Sequence, residues 1–71
     1  MNDMPSTQIV SKVIGTPATG QAWLEQDAGG HQHVRCTKCG LYEYAPGMAP
    51  GLLRMRKHAK ECGLPEESVD V

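Results

Sequence analysis

At 71 residues the chain makes one small domain, and a hydrophobic core of that size alone supplies only about 3–5 kcal/mol, so a further staple is required. Hydrophobic residues form 39% of it, Phe is absent and the aromatics are Trp23, Tyr42 and Tyr44, which excludes a large core; no apolar run is long enough to cross a bilayer or to form a secretion leader. The formal net charge of −1 hides a division: −2 over residues 1–30, +4 over 31–62 and −3 beyond, a basic centre between acidic flanks.

Residues 1–21 read as a flexible or weakly ordered N-terminal segment. Met1 to Gln8 has no periodicity. The β-branched pairs Ile9-Val10 and Val13-Ile14 suit a short strand or a docking segment, and Gly15 to Gly20 breaks regular structure. Gly15 and Gly20 have the spacing of a phosphate-binding loop, but Gln21 and Ala22 stand where its Lys and Ser or Thr belong, which excludes it.

Residues 22–63 read as the folded domain. Ala22 to Gln26, the turn Asp27-Ala28-Gly29-Gly30 and His31 to Cys36 give strand, turn, strand, because Asp and paired glycines favour the positive φ of tight hairpins. Trp23 is expected to cover the small core, its ring N–H finding a partner. Leu41 to Tyr44 alternates with both tyrosines on one face and pairs with the strand entering Cys36. Ala45 to Gly51 reads as a loop. A helix then runs from Pro50 or Gly51 to Cys62, with Leu52, Met55, Ala59 and Cys62 on one stripe, His58 at its edge, and Arg54, Arg56, Lys57 and Lys60 around the rest. Gly63 is placed to end the helix, with Leu64 folding back onto it, and residues 64–71 read as an acidic disordered tail. The fold class is a small α+β zinc-stabilised domain: a β-hairpin of two or three short strands, one α-helix, and disordered termini.

The staple is read from Cys36-Thr37-Lys38-Cys39-Gly40, answered after eighteen residues by His58-Ala59-Lys60-Glu61-Cys62. A Cys-x-x-Cys turn lets two thiolates converge on one ion, and residues four apart on a helix share a face. Cys36, Cys39, His58 and Cys62 are therefore the expected Zn²⁺ ligands, a closed shell of three thiolates and one imidazole. The set uses all three cysteines, whereas a disulfide framework leaves one over. Its thiols need a reducing setting, so the expected location is cytoplasmic, or nuclear in a eukaryote, and not secreted. His31 and His33 share one strand face opposite Val34 and are surface residues or substitute ligands.

Residues 34–63 resemble a ββα zinc finger of the CCHC-ligand variant. The resemblance rests on Cys36-x-x-Cys39-Gly40, on Met55 three before His58 where these fingers carry a core leucine, and on His58-x-x-x-Cys62. Two departures stand out. The span between Cys39 and His58 exceeds the usual twelve or so residues, and Glu43 occupies the core aromatic position, flanked by Tyr42 and Tyr44. The resemblance implies a helix that contacts DNA, with Arg54, Arg56 and Lys57 beside Leu53 near the contact and Lys38 and Lys60 available to phosphates. A single finger buries only about 600–1,000 Å² and acidic flanks repel phosphate, so binding by one copy is weak. The alternative is a protein-binding module presenting Trp23, Tyr42, Tyr44, Met48 and Leu53. Four protein ligands leave no open metal position, and neither H-x-E with P-C-x-x-C nor HExxH is present, so no enzymatic role, small-molecule substrate or membrane partner is expected.

Overall fold

The computed structural model describes residues 7–65 and 68–69. The chain is a small α+β domain of antiparallel strands followed by one helix: β1 (Thr7–Ile9), β2 (Val13–Thr16), β3 (Gly20–Asp27), β4 (Gln32–Cys36), β5 (Leu41–Ala45), α1 (Met48–Glu61) and β6 (Ser68–Val69). The sheet order is β5-β4-β3-β2-β6, with β1 also on β3. No helix among the described residues is long and apolar enough to cross a membrane.

The sheet is larger than the two or three strands read from the sequence, because the segment ahead of residue 22 belongs to it. β1 and β2 lie end to end along β3, as Gln8 pairs with Gln26 and Ile14 with Ala22. Between the pairs Ile9–Glu25 and Ile14–Ala22 their side of the ladder has two more residues than β3. Ser11 makes this interruption tolerable. Its hydroxyl accepts the Leu24 N–H at 2.8 Å, while Val10 N–H donates to the Leu24 carbonyl at 2.9 Å, so neither backbone group of Leu24 is orphaned.

Nor does Gly15 to Gly20 break the sheet. It carries a hairpin closed by the Thr16–Gly20 pair, and Thr16 and Thr19 clasp one another across the loop. Gly15 and Gly20 have φ of 96° and 95°, and a Cβ on Gly20 would stand 2.6 Å from Lys38 Cβ. Only glycine supplies both the turn and the room.

Strand alternation divides the sheet into two faces. Ala22, Leu24, Val34, Cys36 and Ala45 point to the helix and are buried with Met55, Ala59 and Leu64. Trp23 lies on the other face. It pairs across the ladder with Arg35, which pairs with Tyr42, and Trp23 Nε1–H donates to the buried Glu25 carboxylate at 3.0 Å. The expectation that Trp23 covers the helix-side core is corrected accordingly; small residues from both layers, Ala22, Ala45, Gly51 and Ala59, let the helix approach closely and leave no room there for an indole.

α1 starts at Met48, two or three residues ahead of the expected Pro50 or Gly51, and takes up most of the expected loop. Gly47, at φ 155°, makes the sharp entry, its carbonyl accepts the Gly51 N–H at 3.0 Å, and Pro50 sits in the first turn, where its missing N–H costs nothing. At the other end Gly63 adopts φ 74°, Gly63 N–H donates to the Lys60 carbonyl and Leu64 N–H to the Ala59 carbonyl. This double closure, with Leu64 packed in the same cluster as Ala59, is a Schellman cap. Leu64 is thus part of the core, and Ser68–Val69, read from the sequence as tail, pair with β2. Residues 1–6, 66–67 and 70–71, within the expected termini, lie outside the described residues.

Candidate metal centre

Cys36 ends β4 and Cys39 lies in the turn to β5, so the sheet register fixes one half of the site. The Gly40 N–H closes the turn on the Cys36 carbonyl at 2.9 Å, with Gly40 at φ 80°. His58, on α1, and Cys62, its C-cap residue, supply the other half from one helix face. The ligand atoms of Cys36, Cys39, His58 and Cys62 all lie within 4.8 Å of one another. Cys36 Sγ stands 3.9 Å from Cys62 Sγ, and Cys39 Sγ 3.1 Å from His58 Nε2. All three cysteines are free.

The sulfur–sulfur distance fits a metal shell. Thiolates bonded to a tetrahedral ion at about 2.3 Å stand roughly 3.8 Å apart, which is the Cys36–Cys62 separation and far beyond the ~2.05 Å of a disulfide. Electrostatics point the same way. Burial pushes the Cys36 thiol up, but the N–H groups of Cys39 and Lys38 and the Cys39 and Cys62 thiols outweigh it and leave its pKa below the ordinary value. Cys62 is driven up to about 11 by burial and by the Cys36 and Cys39 sulfurs. A second thiolate beside the first is disfavoured until a cation shares the site, which a bound metal ion would supply.

The structure also places the basic residues. Lys38 Nζ donates to the Cys62 carbonyl at 2.9 Å, capping the helix end beside the sulfurs. Arg54 is held between two carboxylates: its guanidinium contacts Glu43 at 3.0 Å and Glu61 at 3.6 Å. Glu43 thereby gains a role at the position where the resembling fingers carry an aromatic. Arg56, Lys57 and Lys60 are exposed on the outside of the helix, and among the described residues none forms an ion pair. Arg54→Ala is expected to lower stability by roughly 0.5–1 kcal/mol, since the pairs are partly exposed, with metal stoichiometry unchanged; urea unfolding of the metal-loaded protein checks this.

The two histidines of the β3–β4 region are directed away from the metal site. His33 Nε2 lies 2.9 Å from Asp27 Oδ2 and its ring stacks on Tyr42 at 4.9 Å, on the face opposite Cys36. His31 Nδ1 lies 3.5 Å from the same carboxylate. The His33 hydrogen bond, with the His31 and Gly29 N–H groups, holds the Asp27 carboxyl down to about 2. Of the residues of the alternative docking surface, Trp23, Tyr42 and Tyr44 share this open sheet face, whereas Met48 and Leu53 stand on the helix, so the five form two surfaces rather than one.

The fold brings Lys12, distant in sequence, into the company of Arg56. Both line the same hollow between the β1–β2 connection and α1. No local pattern signals this, since the contact depends on how the helix is seated on the sheet. A sheet followed by a helix, with a Cys₃His group placed to bind one metal ion, is a zinc-finger-like arrangement. Comparison with known protein families, curated proteins and solved structures finds no match to the chain.

Proposed function

We propose that this protein is a zinc-stabilised, non-catalytic module that binds nucleic acid through the phosphate backbone. Zinc suits the donor set: three soft thiolates and one imidazole are a common structural zinc shell, and four protein ligands leave no position for a reactive water. Such thiols belong in a reducing compartment.

One observation carries the nucleic-acid reading. Arg56, Lys57 and Lys60 project from the helix that the metal site anchors, exposed and without a carboxylate partner among the described residues, whereas Arg54 and Lys38 are engaged within the domain. Unpaired cations on a rigid helix are what a phosphate chain displaces its counterions onto. The first helical turn, Met48-Ala49-Pro50, carries no hydrogen-bonding side chain, which favours phosphate contacts over the base readout that the finger resemblance implies.

Fluorescence anisotropy with a labelled mixed-sequence oligonucleotide, at low and physiological salt, tests the reading. The metal-loaded protein is expected to bind with a steep salt dependence, and the Arg56→Ala/Lys57→Ala/Lys60→Ala variant to lose roughly 2–3 units of slope, at about 0.7–0.9 per phosphate contact. Unchanged binding by the variant would move the contact elsewhere. Absence of binding at any salt would favour protein docking on the open sheet face. That second reading rests on Tyr42 and Tyr44, which are 54% and 58% exposed beside Trp23; tyrosine and tryptophan are enriched at interfaces.

A further inference from the structure

The helix is seated mainly across β3, β4 and β5. β2 extends past it as a ledge, and the angle between ledge and helix is a groove made of two adjoining hollows, of about 400 and 300 Å³, which share Ile14 and Arg56. Its walls are apolar, from Ile14, Leu52 and Met55. Its charged lining is Lys12, Arg56 and Lys60, and no carboxylate lines it among the described residues.

We propose that this groove binds single-stranded nucleic acid, with phosphates on Lys12, Arg56 and Lys60 and an unstacked base against Ile14 and Leu52. The proposal rests on the nucleic-acid reading above and deepens it by naming the strand state and a further cation, Lys12. Two features select the single strand. Hollows of this size lie at the low end of small-ligand sites, roughly 300–1,000 Å³, so they admit a nucleotide but not a duplex, which presents a convex row of phosphates. An apolar floor gains nothing from a duplex, whose bases are already stacked; a strand with splayed bases can place one there, against the half-buried Ile14 and Leu52. The cations then grip the flanking backbone, the usual combination in single-strand grooves.

Lys12 gives the decisive variant, being exposed, outside the helix and free of ion pairs among the described residues. The experiment compares a 12-nucleotide oligothymidine with a mixed-sequence duplex of equal length, by anisotropy and by methyl NMR of the zinc-loaded full chain. Single-strand affinity at least about tenfold above that of the duplex is expected, with methyl shifts at Ile14 and Leu52. Lys12→Ala should weaken single-strand binding roughly threefold to tenfold. Equal or tighter duplex binding, unmoved groove methyls, or an unaffected Lys12→Ala variant would overturn the groove assignment while leaving phosphate binding by the helix in place. Failure of both oligonucleotides to bind at low salt would overturn the nucleic-acid reading itself.

Discussion

Cys62→Ala is expected to leave the chain largely unfolded at 25 °C, as is stripping the metal from the unaltered protein with a chelator. The helix-side core shows why. Its buried members are Ala22, Leu24, Val34, Cys36, Ala45, Met55, Ala59 and Leu64, of which only Leu24, Val34, Met55 and Leu64 are large apolar side chains, each contributing about 1.5–3 kcal/mol when buried. So small a core leaves the fold dependent on the metal. Structural zinc contributes roughly 10–16 kcal/mol of apparent binding free energy, which in so small a domain is folding free energy. Loss of one thiolate removes most of it. Far-UV circular dichroism with and without chelator reads the fold, and cobalt substitution reports the number of bound thiolates. Cys62→His, which keeps a donor, should restore much of the structure, whereas Tyr44→Ala on the opposite face should leave metal binding unchanged. A folded Cys62→Ala variant with an intact three-thiolate spectrum would remove Cys62 from the shell.

Chemistry-bearing residues at fixed spacing were legible because spacing is local: two residues between cysteines make a turn, and three between His58 and Cys62 make a helix face. The hairpin at Asp27 and the cap at Gly63 were legible for the same reason, each being a backbone requirement met by a particular residue type. What escaped the sequence depends on partners far along the chain. β1 and β2 look too short and interrupted to matter until Ser11 is seen to take the Leu24 N–H. The alternation of Ala22, Trp23 and Leu24 shows that Trp23 lies opposite its neighbours, but not which side the helix covers. Glu43 looked like a lost core aromatic. Its place between Tyr42 and Tyr44 already put it on the other face, and only the docked helix reveals Arg54 as its partner.

The docking of that helix carries the second large effect. Leu24 is fully buried beneath α1, and Leu24→Ala is expected to cost about 2–5 kcal/mol, the spread reflecting how far the site can collapse. Gly51 rests directly on it: a Cβ at Gly51 would lie 2.8 Å from Leu24 Cδ1, 3.1 Å from Leu24 Cδ2 and 3.2 Å from Ala45 Cβ. In an open helix Gly→Ala gains about 1 kcal/mol, but here overpacking costs roughly 1–3 kcal/mol, so Gly51→Ala is expected to destabilise. With Leu24 cut back to alanine most of the obstruction is gone, and the helix-propensity gain should prevail. The same substitution thus changes sign with its background: unfavourable alone, favourable when added to Leu24→Ala. Urea unfolding of the four zinc-loaded proteins measures the coupling. Additive effects would mean that Gly51 does not rest on Leu24.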